Sequence, residues 1–182
     1  IVPSSFGDWA EPHAVAALAR PLARIALGVP WLGALAPDDT LAILVAFARQ
    51  GAPNAGAMPR DRIEALAAEH DARARRASGR ARRRALEARA QRCARASALS
   101  VESFVDAALR TEARAAFLLS GDLRATLEAV APSEPGLGDA LRTPGRVALA
   151  AVLTGPISRD LVAFAMSGDA TALRRSLGTL RV

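Results

Sequence analysis

Residues 100–123 read SVESFVDAALRTEARAAFLLSGDL, and this stretch decides the fold class. Val101, Val105, Ala108, Ala115 and Leu119 recur at the three-to-four spacing that puts side chains on one face of a helix. Ser100 is placed to cap the first turn, so a helix is expected from Val101 to Leu119. The run is far too long for a strand. One residue breaks the pattern: Glu112 falls in the middle of the apolar stripe. An isolated buried carboxylate is prohibitively unfavourable, so Glu112 should pair with Arg or protonate; an ion pair is the expectation, with Arg84 and Arg146 among many candidates.

Helical periodicity continues outward in both directions. Leu41–Ala48 is apolar all round and reads as the central helix, started by Pro37, Asp38 and Asp39 and followed by Gly51. Pro12 opens an earlier helix, which Pro21 either kinks or ends. Pro30–Gly33 is a turn and Gly51–Met58 a loop. A long helix, or two split near Ser78-Gly79, is expected from about Pro59 to Ala96. Beyond Leu119, Ser120-Gly121-Asp122 and Ser167-Gly168-Asp169 each close one helix and open the next, 47 residues apart. Gly suits the left-handed closing position and Asp the cap of the following helix. Pro132–Gly138 reads as a loop, and Pro144 and Pro156 mark further helix starts. The expectation is an all-α fold: a single multi-helix bundle of seven to nine helices over residues 1–182, with helical-hairpin repeats at the C-terminal end.

At 182 residues the chain is long enough for a real core, and 51% of it is hydrophobic. Ala dominates that share and aromatics are only 4%, so the core depends on close helix–helix approach. Phe104, Phe117, Leu118, Phe47, Leu44 and Phe164 are expected to meet in one core. The longest strongly apolar runs fall well short of the roughly 20 residues that span a bilayer. The first residues, IVPSSFGDW, lack the form of a secretory signal. A cytoplasmic location and a piece cut from a larger multidomain protein are expected.

Two segments, TEARAAFLLSGDL at 111–123 and DLVAFAMSGDATALRRSLG at 160–178, resemble the helices of zinc metallopeptidases of the CAAX-prenyl-protease type. In that family one helix carries a metal ligand in an E-x-x-A-D pattern. The resemblance sets Leu109 at the ligand glutamate, Glu112 at the alanine and Ala113 at the aspartate. The family's H-E-x-x-H helix is similar to His13-Ala14-Val15-Ala16-Ala17, with Ala14 at the general base and Ala17 at the second histidine. The resemblance implies a ligand-less, degenerate framework of the sort that follows tetratricopeptide arrays in large bacterial proteins. It implies no catalytic residue, no metal and no cofactor. Its function would be that of a scaffold or protein-interaction domain rather than an enzyme.

Other chemistry is excluded on inventory. His13 and His70 are 57 residues apart and Cys93 is the sole cysteine, so no spaced metal-ligand pattern exists. There is no G-x-S-x-G and no glycine-rich phosphate loop.

Charge is the one positive signal. The chain has no Lys and a net charge of +6, yet Arg73–Arg95 holds ten Arg against Glu87 alone, a local +9. Arg75, Arg76, Arg80, Arg82, Arg83, Arg84 and Arg89 are the candidate anion- or partner-binding residues. Such a helix can grip phosphate backbones or anionic headgroups. The Arg residues spread round the helix and no aromatic interleaves them for base stacking. Weak nucleic-acid binding is therefore the alternative, behind an acidic protein partner or the remainder of the parent chain.

Overall fold

The computed structural model describes residues 4–32, 34–50, 61–77, 79, 84, 101–143 and 145–180. Its helices are α1 (Glu11–Ala26), α2 (Pro37–Arg49), α3 (Asp61–Ala77), α4 (Val101–Ser120), α5 (Leu123–Val130), α6 (Leu137–Arg142), α7 (Arg146–Thr154), α8 (Pro156–Ala165) and α9 (Gly168–Ser176). Short 3-10 turns occupy Ser4–Asp8 and Ala131–Ser133. No strand occurs among the described residues, and the fold is all-α.

The chain forms two compact units, residues Ile1–Pro30 with Asp106–Val182, and residues Trp31–Val105. In the second, α2 packs along α3. Leu41, Ala42 and Val45 of α2 bury against Ile63 and Ala67 of α3, with Leu44, Leu66 and Val105 beside them. Arg49 Nη2 reaches Glu64 at 2.7 Å, and Gln50 also bonds Asp71. Although its sequence is apolar all round, α2 buries one face only, and Phe47 is 41% exposed. The expectation that α2 is a central helix with Phe47 in the core is therefore corrected: among the described residues of this unit, the apolar cover of α2 comes from α3 and Val105.

In the first unit the core gathers Phe117 of α4, Leu127 and Val130 of α5, Leu137 of α6, Val152 of α7, Ile157 and Leu161 of α8 and Ala170 of α9. Leu137, Leu161 and Val130 are fully buried, each worth about 1.5–3 kcal/mol of transfer free energy. Phe164 meets Phe117 edge-on, with ring centroids 6.5 Å apart. Phe117 and Phe164 thus share this core, whereas Leu44 belongs to the α2–α3 cluster. The residues expected in one core thus do not share a single cluster among the described residues. Arg114 lies over the Phe164 ring at 5.1 Å and forks onto Asp160 at 2.6 and 2.9 Å, tying α4 to α8. From α6 onward, each helix packs on its sequence neighbour.

Many helix ends follow the punctuation, but the expected Pro132–Gly138 loop instead holds part of the Ala131–Ser133 3-10 turn and the start of α6, and the two Ser-Gly-Asp sites differ. Gly121 closes α4 at φ +69°, and the Asp122 carboxylate accepts the Ala125 amide at 2.9 Å to cap α5. At the second Ser-Gly-Asp, Ser167 is the cap, its hydroxyl accepting the Ala170 amide at 3.1 Å. Gly168 there is already helical and Asp169 sits in the first turn. α1 continues through Pro21 as one helix. The predicted helix continuation past Ser78, the Gly51–Met58 loop and the Ser100 cap lie outside the described residues.

Candidate functional site

Two features of α1 build the site. Ala16, Ala19 and Arg20 form its buried face, and Arg24 follows one turn after Arg20 on the same face. The small alanines let α1 approach α5, with which it packs, so the two guanidiniums reach into the interior rather than out to water. There they meet Glu112.

Glu112 is wholly buried and receives both arginines. Arg20 Nη2 and Nε lie 2.6 and 3.2 Å from Oε1. Arg24 Nη2 lies 3.0 Å from the same oxygen, and its Nε donates to Oε2. Arg20 also donates to the Ala129 carbonyl and, at 2.8 Å, to Ser133 Oγ. The Glu112 hydrogen bond raises the Arg24 pKa, outweighing the desolvation that would lower it, and the direct charge attraction adds to the rise. Arg24 is thus held charged. The expected ion pair for Glu112 is present, but with Arg20 and Arg24 and not with Arg84 or Arg146. The charge rule called for a partner or a proton; it could not say which of 24 arginines would be folded against it.

Above this trio, between α1, α5 and the turns flanking them, opens a cleft of about 670 Å³. Trp9, Ala17, Pro21, Ala125, Ala129 and Pro132 give it apolar walls, and His13, Arg20, Arg24 and Glu128 give it polar ones. Pro21 supplies no amide hydrogen, so the Ala17 carbonyl one turn back lacks its usual helical donor. His13 Nε2 lies 2.9 Å from Glu128 Oε2, which fixes the proton on Nε2 because a carboxylate can only accept. The same carboxylate takes the Arg124 Nε at 2.9 Å. His13 Nδ1 is buried and has no hydrogen-bond partner among the described residues.

The positions singled out by the metallopeptidase resemblance separate into two groups. His13 and Ala17 line the cleft. Leu109 and Ala113 instead pack in the first unit's apolar core, Ala113 buried and Leu109 against it. A ligand pair there would have to displace core side chains. Among the described residues no three His, Cys, Asp or Glu gather into a group able to hold a metal. No single described helix is long and apolar enough to cross a membrane; α7 and α8 pass that test only as a pair, bent by 99°.

Of the candidate anion-binding residues, Arg75 and Arg76 stand exposed in the last turn of α3, and Arg84 is exposed. Arg75 bonds Asp71 and Arg73 bonds Glu69 at 2.6 Å, each one turn back along α3. Such exposed pairs contribute well under about 1 kcal/mol and leave the cations accessible. Arg80, Arg82, Arg83 and Arg89 lie outside the described residues. The cleft residues Trp9, Arg20, Arg24 and Glu128 carried no recognisable motif. The available signal was the Arg20/Arg24 spacing of four residues on a helix whose buried residues are otherwise Ala16 and Ala19.

No protein-family model matches the chain, and neither a curated protein nor a solved structure is similar to it.

Proposed function

We propose that the chain is a non-catalytic scaffold or protein-interaction domain on a metallopeptidase-like helical framework, and that its partner is another protein. The observation that carries this reading is α7. Its sequence, RVALAAVLT, is apolar almost throughout, yet Val152 is the one residue of the helix that it buries. Val147, Leu149 and Leu153 are exposed, Leu149 by 58%. α1 does the same on the side away from Arg20, where Leu18, Leu22 and Ile25 are exposed at helical spacing, Ile25 by 61%. Exposed apolar side chains in this number on two helices favour docking of another protein. Leu109 and Ala113 in the core, with Ala14 and Ala17 on α1, support the non-catalytic half of the proposal.

The test places a photo-cross-linking amino acid at Leu149 and, separately, at Leu22. A discrete cross-linked protein that disappears on Val147→Asp or Ile25→Asp is the expected result. Proteins that carry the cross-linker in an otherwise wild-type chain, melt as wild type and yet capture no discrete protein at either position would sink the interaction reading. One zinc per chain, lost on His13→Ala, together with peptide hydrolysis, would overturn the non-catalytic one.

A further inference from the structure

The exposed residues of α7 are arranged as a seat for another helix. Arg146, Leu149, Ala150 and Leu153 stand at i, i+3, i+4 and i+7, and all four are exposed. Four residues at that spacing enclose the hole into which a neighbouring helix sets one side chain. Ala150 keeps the hole open on one side, and Leu149 and Leu153 make it apolar. Its N-terminal corner is charged. Arg146 forms no ion pair among the described residues. The acids nearest to it in sequence are all engaged elsewhere: Arg142 bonds Asp139, Arg114 bonds Asp160, and Glu134 accepts the Ile157 and Ser158 amides. Gly145 precedes α7 without a side chain to cap it, and the first turn holds no acid. A helix N-terminus favours negative charge, so a cation without a counter-charge stands where the helix already favours an anion.

We propose that the partner docked on α7 is an amphipathic α-helix, which sets an apolar side chain into this hole and a carboxylate beside Arg146. The inference rests on the reading of α7 as a docking face and names the chemistry of what docks there. The spacing of the hole fits the knob of a helix, whereas an extended strand turns successive side chains to opposite faces. The charge lies at one end of the hole only. The partner's acid therefore sits about one turn from its knob, and the pair fixes the register of docking.

The probe is a synthetic amphipathic helix of about three heptads, with Leu at a and d and Glu at e and g. A twin carries Lys at e and g, and fluorescence anisotropy reads each against the whole chain. The Glu peptide should bind saturably and the Lys twin about tenfold or more weakly, since repulsion replaces attraction. Arg146→Gln should remove most of that preference. Arg175→Gln makes the same charge change at another exposed arginine, on α9, and should leave the preference intact. That contrast separates local pairing from the net charge of the chain. Leu149→Asp should abolish both responses while the protein still melts as wild type. Equal affinity for the two peptides, a preference untouched by Arg146→Gln, or no saturable binding by wild type would overturn the proposal. A protein cross-linked from Leu149 while both peptides fail would leave docking at α7 standing and remove the acidic helix. Dimerisation of the chain, or binding to anionic vesicles, that is lost on Leu149→Asp would give the face another occupant and overturn it as well.

Discussion

Glu112 in the middle of α4 and Arg20 in the middle of α1, 92 residues apart in sequence, are joined at 2.6 Å in a place with no solvent exposure on the carboxylate. Arg24 completes the arrangement from the next turn. The carboxylate has given up water for two guanidiniums, and the guanidinium of Arg20 has in addition a backbone carbonyl and a serine hydroxyl. This satisfaction is what makes burial tolerable.

Glu112→Gln should therefore be among the most damaging single changes in the first unit. It leaves Arg20 buried without its counter-charge, and breaking a buried pair by removing one partner costs about 3–5 kcal/mol. Arg24→Gln should cost less, since Arg20 still neutralises Glu112 and Arg24 is partly solvated. Chemical denaturation of the two variants checks the order. A Glu112→Gln loss no larger than that of Arg24→Gln would mean the trio is not the anchor of α1.

The two phenylalanines Phe117 and Phe47 separate in the same measurement. Phe117 is 5% exposed and packs with Phe164, so Phe117→Ala should cost about 3–5 kcal/mol. Phe47, 41% exposed on α2, should lose clearly less than Phe117 on truncation, having less transfer free energy to give up. Similar losses for both would restore α2 as a fully buried helix.

This pair also shows how much of the fold the sequence held. The apolar spacing of α4 and α2 was enough to predict both helices and most of their limits, because period is a local property. Which face of each helix is buried depends on what else packs there, and that is a long-range fact. Among the described residues of its unit α2 meets α3 along one face, so an all-round apolar sequence still leaves Phe47 41% exposed. On α4 the buried face runs through Ala108, Glu112, Ala113, Ala116 and Phe117, rotated from the predicted stripe, and Leu119 is exposed. The cleft was less legible still. His13 and Glu112 each stood out as anomalies, yet Trp9, Arg24 and Glu128 are ordinary residues until α1 and α5 are laid side by side.

Gly155 offers a test of close packing without any backbone strain. Its φ of −68° is open to any residue, but an added Cβ would stand 2.7 Å from the Glu134 carboxyl carbon and overlap the Ser158 hydroxyl. Glu134 is buried there because it accepts the Ile157 and Ser158 amides, at 2.5 and 3.2 Å, at the start of α8. Gly155→Ala should cost about 1–3 kcal/mol through overpacking. In a Glu134→Ala background, itself weakened by loss of the cap, the same change should cost less, because the main obstacle has gone. A double-mutant cycle reads that coupling, and strict additivity would show that the two residues do not compete for the space.

The repeated Ser-Gly-Asp supplies the sharpest contrast, because identical tripeptides carry opposite requirements. Gly121 holds φ +69°, and a Cβ there would come 2.7 Å from Arg174 Nη2. Gly121→Ala should destabilise by about 1–2 kcal/mol from the left-handed backbone alone, and the Arg174 guanidinium, held by the Thr179 carbonyl at 3.0 Å, would have to shift as well. Gly168 is helical, and a Cβ there meets nothing within 4 Å. Gly168→Ala should stabilise by about 0.4–1 kcal/mol by reducing the freedom of the unfolded chain. The caps differ in the same way: Asp122→Ala and Ser167→Ala should each cost about 1 kcal/mol, whereas Asp169→Ala, which removes only a charge near the start of α9, should cost less. Thermal melts of the two Gly→Ala variants measured side by side decide the matter. Shifts of the same sign would mean that the two tripeptides adopt one conformation, and the assignment of Ser167 as a cap would fall with it.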